Sequence, residues 1–302
     1  MSPSRSQQAT VAAHKKTRDG LFLLVCLVLL CVPILASYNP TSQLDIIQSQ
    51  GQLRVITRLS PSTYYIADDQ PSGFEFELTK LYANYLGVSL KITTADDINE
   101  IYEALRLNNA HFAAAGLTQT PQRSQRFDFS QPYYQSNTEL VYRKQKNKAP
   151  ATYQDLKSGK LMVVANSSHA ELLRGLDPGI EGWQESNDLE VLDLLQAVHA
   201  GELDYTLVDS TEFAANRPFF PRLEAAFSFS VPQPTAWMLK KRSDGSLQRS
   251  LTKFFSIPHT QNEIIRLKEK YFPTDQWLNL VDNLTFRQHL ESRLPKYREW
   301  FE

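Results

Sequence analysis

The sequence predicts an α/β protein of two similar lobes joined by two chain crossings. Short apolar runs alternate with segments whose apolar residues recur at helical spacing, the pattern of strands and helices packed in layers. Two stretches, ALRLNNAHFAAAG from Ala104 and LLQAVHAGELDYTLVD from Leu194, share a helix, turn, strand order and read as a repeat. Two proline-bearing polar stretches, residues 144–150 and 231–234, fall where the chain would leave one lobe and return to it. That makes residues 45–144 plus 235–272 lobe one and 145–234 lobe two. Two crossings form a hinge, and hinges border clefts.

At 302 residues, with 42% hydrophobic and 22% charged, the chain has material for two cores and too little charge for disorder. Lys plus Arg is 32 and Asp plus Glu is 33, which leaves no basic surplus for a phosphate backbone and argues against nucleic acid as a partner.

Residues 21–35 are apolar but for Pro33, follow Lys15, Lys16 and Arg18, and precede Ala36 and Ser37. This is the layout of a secretory signal. The run is short of the roughly 20 residues that span a bilayer, so residues 1–36 read as a signal for export, with a retained signal anchor as the alternative. Both cysteines, Cys26 and Cys31, lie in it. The chain after residue 36 therefore has neither a disulfide framework nor a thiolate metal site.

The elements follow in order. Residues 53–57 (LRVIT) form a first strand; Phe74, Leu78, Leu81, Tyr82 and Tyr85 mark a helix that Gly87 caps. Residues 88–93 are a strand, Ile98, Ile101, Tyr102 and Leu105 one helical face, and residues 112–117 a small-residue strand. In lobe two, residues 161–165 and 205–208 are strands around a helix through Leu189, Leu192, Leu195 and Val198. Residues 235–239 read as a strand, and 247–255 and 264–271 as helices. Residues 273–302, with Trp277, Leu280, Leu284, Leu290 and Trp300, form a partly amphipathic tail, either a packed helix or a connector.

The chemistry concentrates in residues 116–134, GLTQTPQRSQRFDFSQPYY. Gly116 permits close backbone approach, Thr118 and Thr120 supply hydroxyls, and Arg123 supplies a guanidinium that can grip a carboxylate through two parallel hydrogen bonds. A loop so composed after a strand is a carboxylate receptor. This segment resembles the signature of family 3 periplasmic solute-binding proteins, in which a Gly/Ser-x-Thr/Ser-x-Thr-x-x-Arg loop precedes a Phe-Ser-x-Pro-Tyr-Tyr turn. Gln52-Leu53-Arg54-Val55, Gly73-Phe74-Glu75-Phe76-Glu77-Leu78 and Gly201-Glu202-Leu203-Asp204 extend the resemblance over residues 51–272. It implies a two-lobed periplasmic-binding-protein-like fold of type II that closes on a small solute.

The resemblance also implies roles. It puts Arg123 on the ligand's carboxylate, assisted by Thr118 and the Gly116 backbone, and Asp209 on an α-ammonium. It assigns Ser167 and Ser168, at the start of a helix, to the same carboxylate through N-terminal N–H donors. Tyr64 or Tyr65 would wall the cleft. Structural roles compete: an ion pair for Arg123, a capping box with Glu212 for Asp209, a helix cap for the serines, and core packing for Tyr133 and Tyr134. Arg58 stands where amino-acid binders often carry an acid, a second cation that weakens recognition of a free ammonium.

A narrower resemblance covers residues 59–92 and 163–176, which are similar to the N-terminal solute-binding-like module of the membrane-bound lytic murein transglycosylase F family. In that family the module precedes a lysozyme-like domain, across a joint of the form seen at Arg293-Leu294-Pro295-Lys296-Tyr297. The expectation is that this chain lacks that catalytic domain with its Glu-Ser general acid.

No G-x-S-x-G elbow, P-loop, H-E-x-x-H or paired-cysteine motif occurs, and the six histidines show no metal spacing. Asp68-Asp69 and Asp96-Asp97 are adjacent in loops, not opposed across a bond. The expectation is an exported, non-catalytic module, without metal or cofactor, that binds a small carboxylate-bearing solute, an amino acid or muropeptide. It would sit in the periplasm, associated with the membrane or peptidoglycan, and act in sensing or regulating peptidoglycan remodelling. The alternatives are a transglycosylase F lacking its catalytic domain, or a receptor for an amino-acid importer.

Overall fold

The computed structural model describes residues 42–144, 149–176 and 180–272. The apolar run and the tail, read above as signal and connector, lie outside the described residues. Two five-stranded sheets organise what is described. In the first, Gln52–Arg58 lies between Ser89–Ala95 and Phe112–Ala113, all parallel, and Met238–Lys240 and Phe127–Phe129 complete it. In the second, Leu161–Val164 lies between Gln184–Ser186 and Tyr205–Asp209, all parallel, followed by Thr138–Arg143 and Leu223–Ser228. The repeat legible in the sequence is thus a repeat of sheet topology.

Alternation along each strand dresses both sheet faces with apolar side chains, as sheets covered on both sides require. Leu53 and Val55 point into a cluster around Trp237, Tyr82, Phe254 and Phe255, while Ile56 points to the opposite cluster with Ile101, Leu105 and Met238. In the second sheet Val141 and Val208 enter one cluster, and Leu140 and Leu207 the other. Trp237 is wholly buried, its ring stacked on Phe112 at 4.6 Å; burying each such side chain contributes about 1.5–3 kcal/mol.

Helices cover the faces at the expected places. Phe74–Leu86 buries Phe74, Leu78 and Tyr82 and stops at Gly87, whose φ of 69° is the left-handed conformation that suits glycine. Ile98–Arg106 starts where the Asp97 carboxylate accepts the Glu100 N–H at 2.8 Å. Val191–Ala200, Ser246–Phe255 and Pro258–Tyr271 supply the remaining expected faces.

The crossings differ from the sequence reading. Thr138–Arg143, expected in lobe one, pairs with Tyr205–Asp209 and Leu223–Ser228 in the second sheet. The chain has therefore crossed before residue 144, at Tyr134–Ser136, which pairs antiparallel with the returning Gln233–Thr235. A polar, proline-ended stretch says nothing about where the crossing falls, because backbone pairing decides which sheet a strand joins. The expected strand at 235–239 is likewise split, with Thr235 in the crossing ribbon and Met238 in the first sheet. Strand pairing in 112–117 is confined to Phe112–Ala113. His111 is structural: its Nδ1 accepts the Arg54 N–H at 3.0 Å, and burial pulls it down to about 4, so it is neutral.

Candidate functional site

The loop read at residues 116–134 contains a one-and-a-half-turn helix, Pro121–Arg126. Thr120 caps it by accepting the Arg123 N–H at 3.2 Å, and Pro121 takes the first helical position, where no N–H is needed. That turn points Arg123 inward, leaving it 4% exposed. Its Nε donates to the Tyr102 hydroxyl at 3.0 Å and its Nη1 to the Thr118 carbonyl at 2.9 Å. The Glu171 carboxylate, from the other lobe, stands 4.0 Å from Nε.

Arg123 lines a small cavity of about 30 Å³ between the lobes, with Arg58, Gly116 and Thr118 on the lobe-one side. Ser167, Ser168, His169, Glu190, Asp209 and Glu212 form the lobe-two side. Six of the eight residues singled out from the sequence thus meet in one place. Tyr64 and Tyr65 do not line it. The Tyr64 ring is edge-on to Phe76 at 5.7 Å, and Tyr65 opens the strand Tyr65–Ala67 and packs against core clusters of both lobes. Tyr133 and Tyr134 are core residues, each 8% exposed.

Local chemistry explains each placement. Gly116 has φ 62°, and its N–H is taken by the Glu75 carboxylate at 3.0 Å. That N–H therefore serves the fold here, contrary to its expected service to a ligand. Ser167 is a helix cap: its Oγ accepts the Ala170 N–H at 3.2 Å and donates to the Val164 carbonyl at 2.6 Å. Asp209 precedes the helix Ser210–Asn216 without a side-chain cap, so the capping box with Glu212 does not form. Its carboxylate instead lies 3.3 Å from Nε2 of His169, whose Nδ1 is buried with no hydrogen-bond partner among the described residues.

Sequence reasoning missed the carboxylates that close the cavity. Glu212 of lobe two accepts hydrogen bonds from Ser60 (2.5 Å) and Ser62 of lobe one. Glu190 faces Arg58 across the boundary at 3.6 Å. Burial pulls the Arg58 guanidinium down, but Glu212, Glu190 and Asp209 together outweigh it and hold it above the usual arginine range. Burial pushes Glu190 up to about 7 against the pull of Arg58, and Asp193, Asp97 and Glu212 add to the rise. Glu75 is raised by burial despite hydrogen bonds from Tyr133 and Trp237. The Ser60, Ser62 and Glu212 spacing carries no local signal, because the partners meet only in the folded chain.

The arrangement can hold a zwitterion: guanidinium groups on one wall, and carboxylates with a helix N-terminus on the other. Among the described residues no group of three or more His, Cys, Asp and Glu side chains is gathered to hold a metal ion.

Two α/β lobes meeting at a polar cavity define a solute-binding architecture. The profile of the bacterial extracellular solute-binding proteins, family 3, matches residues 53–274, and the chain belongs to that family. It is 39% identical over 271 residues to the membrane-bound lytic murein transglycosylase F of Pseudomonas fluorescens, covering 88% of this chain and 55% of that protein. With the protein of the same name from Saccharophagus degradans it shares 36% identity over 266 residues, 87% of this chain and 53% of the other. The chain thus spans about half the length of the curated relatives it matches.

Solved structures share the fold. A mutant of ArgBP from T. maritima superposes with a TM-score of 0.67 at 22% identity, covering 76% of this chain and 98% of that one. The cysteine-binding protein from Campylobacter jejuni superposes with a TM-score of 0.68 at 19% identity, covering 80% and 96%. Among the described residues no helix is long and apolar enough to cross a membrane.

Proposed function

We propose that this chain is a periplasmic, non-catalytic binding module whose lobes close on a small solute bearing a carboxylate and an ammonium, an amino acid or a cell-wall peptide. The observation that carries the reading is the opposition of Arg123 and Arg58 on one wall to Asp209 and Glu190 on the other. In this role Arg123 takes the carboxylate, with Thr118 and the Ser168 turn beside it, and Asp209 takes the ammonium, displacing His169. Arg58 does not repel that ammonium, because Glu190, Glu212 and Asp209 balance its charge. The cavity is about the size of one water molecule, 30 Å³. A solute therefore enters by parting the Glu212 contacts to Ser60 and Ser62, and its binding is a hinge motion.

The kinship with transglycosylase F supports a sensory or regulatory role in peptidoglycan remodelling, with the bound fragment as the signal. A melting-temperature screen of amino acids, dicarboxylates and muropeptides on the full chain tests the reading, because a solute that binds only the native form raises the transition. For an amino acid with a single carboxylate, Arg123→Ala is expected to abolish the shift and Arg126→Ala to keep it. Equal effects from both, or clearing of murein by the chain in a zymogram, would refute the proposal.

A further inference from the structure

Arg123 is shared between the cleft and a second, larger concavity of about 660 Å³, a volume in the range of small-ligand sites. Its cationic lining is dense: Arg106, Arg123, Arg126, Lys240 and Lys241 from lobe one and Arg174 from lobe two, against only Glu103 and Glu171. In a chain of net charge −1, this is a local surplus of one sign within a concave wall, which focuses the field on whatever enters.

Much of that charge is uncompensated. Arg106 is bonded to Glu103, and Arg174 to Glu185. Among the described residues Lys240 donates to neutral acceptors, the Arg106 carbonyl at 2.7 Å and the Asn108 side chain at 3.2 Å. The Arg126 guanidinium lies over the rings of Tyr102 and Phe127 at 5.4 and 5.5 Å. Its face is thereby fixed while its N–H edge is left for an acceptor. Lys241 is exposed. Among the described residues no carboxylate is paired with Arg126, Lys240 or Lys241. Neutral amide donors are at hand in Asn99 and Gln122 of lobe one and Asn166 of lobe two, and Asn166 is hydrogen-bonded to Asn99 across the boundary at 3.1 Å.

We propose that this groove is a second binding site, distinct from the cleft, for a small anion carrying two or more carboxylate or phosphate groups. A single charge on an exposed cation gains little. A multivalent anion engages the uncompensated Arg126 and Lys241 on one lobe together with the other lobe's lining, Asn166 and, in exchange for Glu185, Arg174. Because the wall is complete only when the lobes are together, the anion favours closure. It therefore strengthens solute binding in the cleft, and the solute strengthens anion binding by the same factor.

Calorimetric titration of the full chain with pyrophosphate and with citrate tests this, the two probes separating phosphate from carboxylate recognition. Binding of either supports the site, with affinity falling as salt is raised. The double variant Arg126→Ala with Lys241→Ala should weaken it about tenfold, while the melting temperature changes by no more than the loss of the exposed Arg126 ring contacts accounts for. Three results overturn the proposal: no heat with either probe, undiminished affinity in the double variant, or loss of binding in Arg58→Ala with none in the double variant. The last would place the anion in the cleft.

Discussion

Glu75 and Glu212 are both buried carboxylates, 1% and 6% exposed, and both are met by several donors. All donors to Glu75 belong to its own lobe: the Gly116 N–H, the Tyr133 hydroxyl and the Trp237 indole N–H at 2.8 Å. Glu212 reaches across to Ser60 and Ser62, with Asn216 from its own helix at 3.1 Å. The same chemistry thus serves two ends. Glu75 ties the Gly116 turn to the first core, so the wall that presents Arg123 is rigid. Glu212 ties one lobe to the other, and under the proposed function those contacts are the ones a solute parts.

The largest expected effect comes from the rigid side. Glu75→Ala leaves three buried donors without an acceptor, each costing about 1–3 kcal/mol, so unfolding free energy should fall by roughly 3–5 kcal/mol in a urea titration. A loss below about 1 kcal/mol would show that Glu75 is not the tie described. Glu212→Ala should shift the lobes toward separation by about 1–3 kcal/mol, visible as a larger radius of gyration by small-angle scattering. An unchanged radius would break the contrast between the two carboxylates.

Acidity sharpens the comparison further. Glu190 is raised by burial from 4.5 to about 7, so between those values the folded chain holds a proton that the unfolded chain has released. Stability from this group is therefore full below pH 4.5 and declines as pH rises toward 7. Glu190→Gln should remove that decline, and the difference in melting temperature between wild type and variant across this window isolates it from Glu75, which is shifted the same way. Identical pH profiles would refute it. The smallest effect is expected at Tyr64, packed on Phe76 away from the cavity. Tyr64→Phe should change stability by no more than about 0.5 kcal/mol and leave solute affinity unaltered; weakened binding would restore it to the cleft wall.

How much of this was legible follows from range along the chain. Arg123 could be found because Thr120, Pro121 and Arg123 form one local turn whose residue types announce it. The Phe74 helix could be found because apolar spacing and Gly87 are local signals. Glu212 could not be found as a latch, because Ser60 stands 152 positions away and Glu212 read more naturally as half of a capping box with Asp209. Thr138–Arg143 was placed in the wrong lobe for the same reason. Its alternation identifies a strand but says nothing about which partner strand is nearest.

By itself the sequence determined the α/β class, the repeated lobes, the family signature and the guanidinium that lines the cavity, since periodicity, turn chemistry and motif spacing act within a few residues. Only the tertiary structure decided where the chain crosses, which carboxylates face Arg58, that Gly116 serves Glu75, and that Arg123 stands between a cleft and a basic groove. Those outcomes depend on which distant backbones pair and which side chains share a desolvated space, and both are settled only when the sheets and their helices pack together.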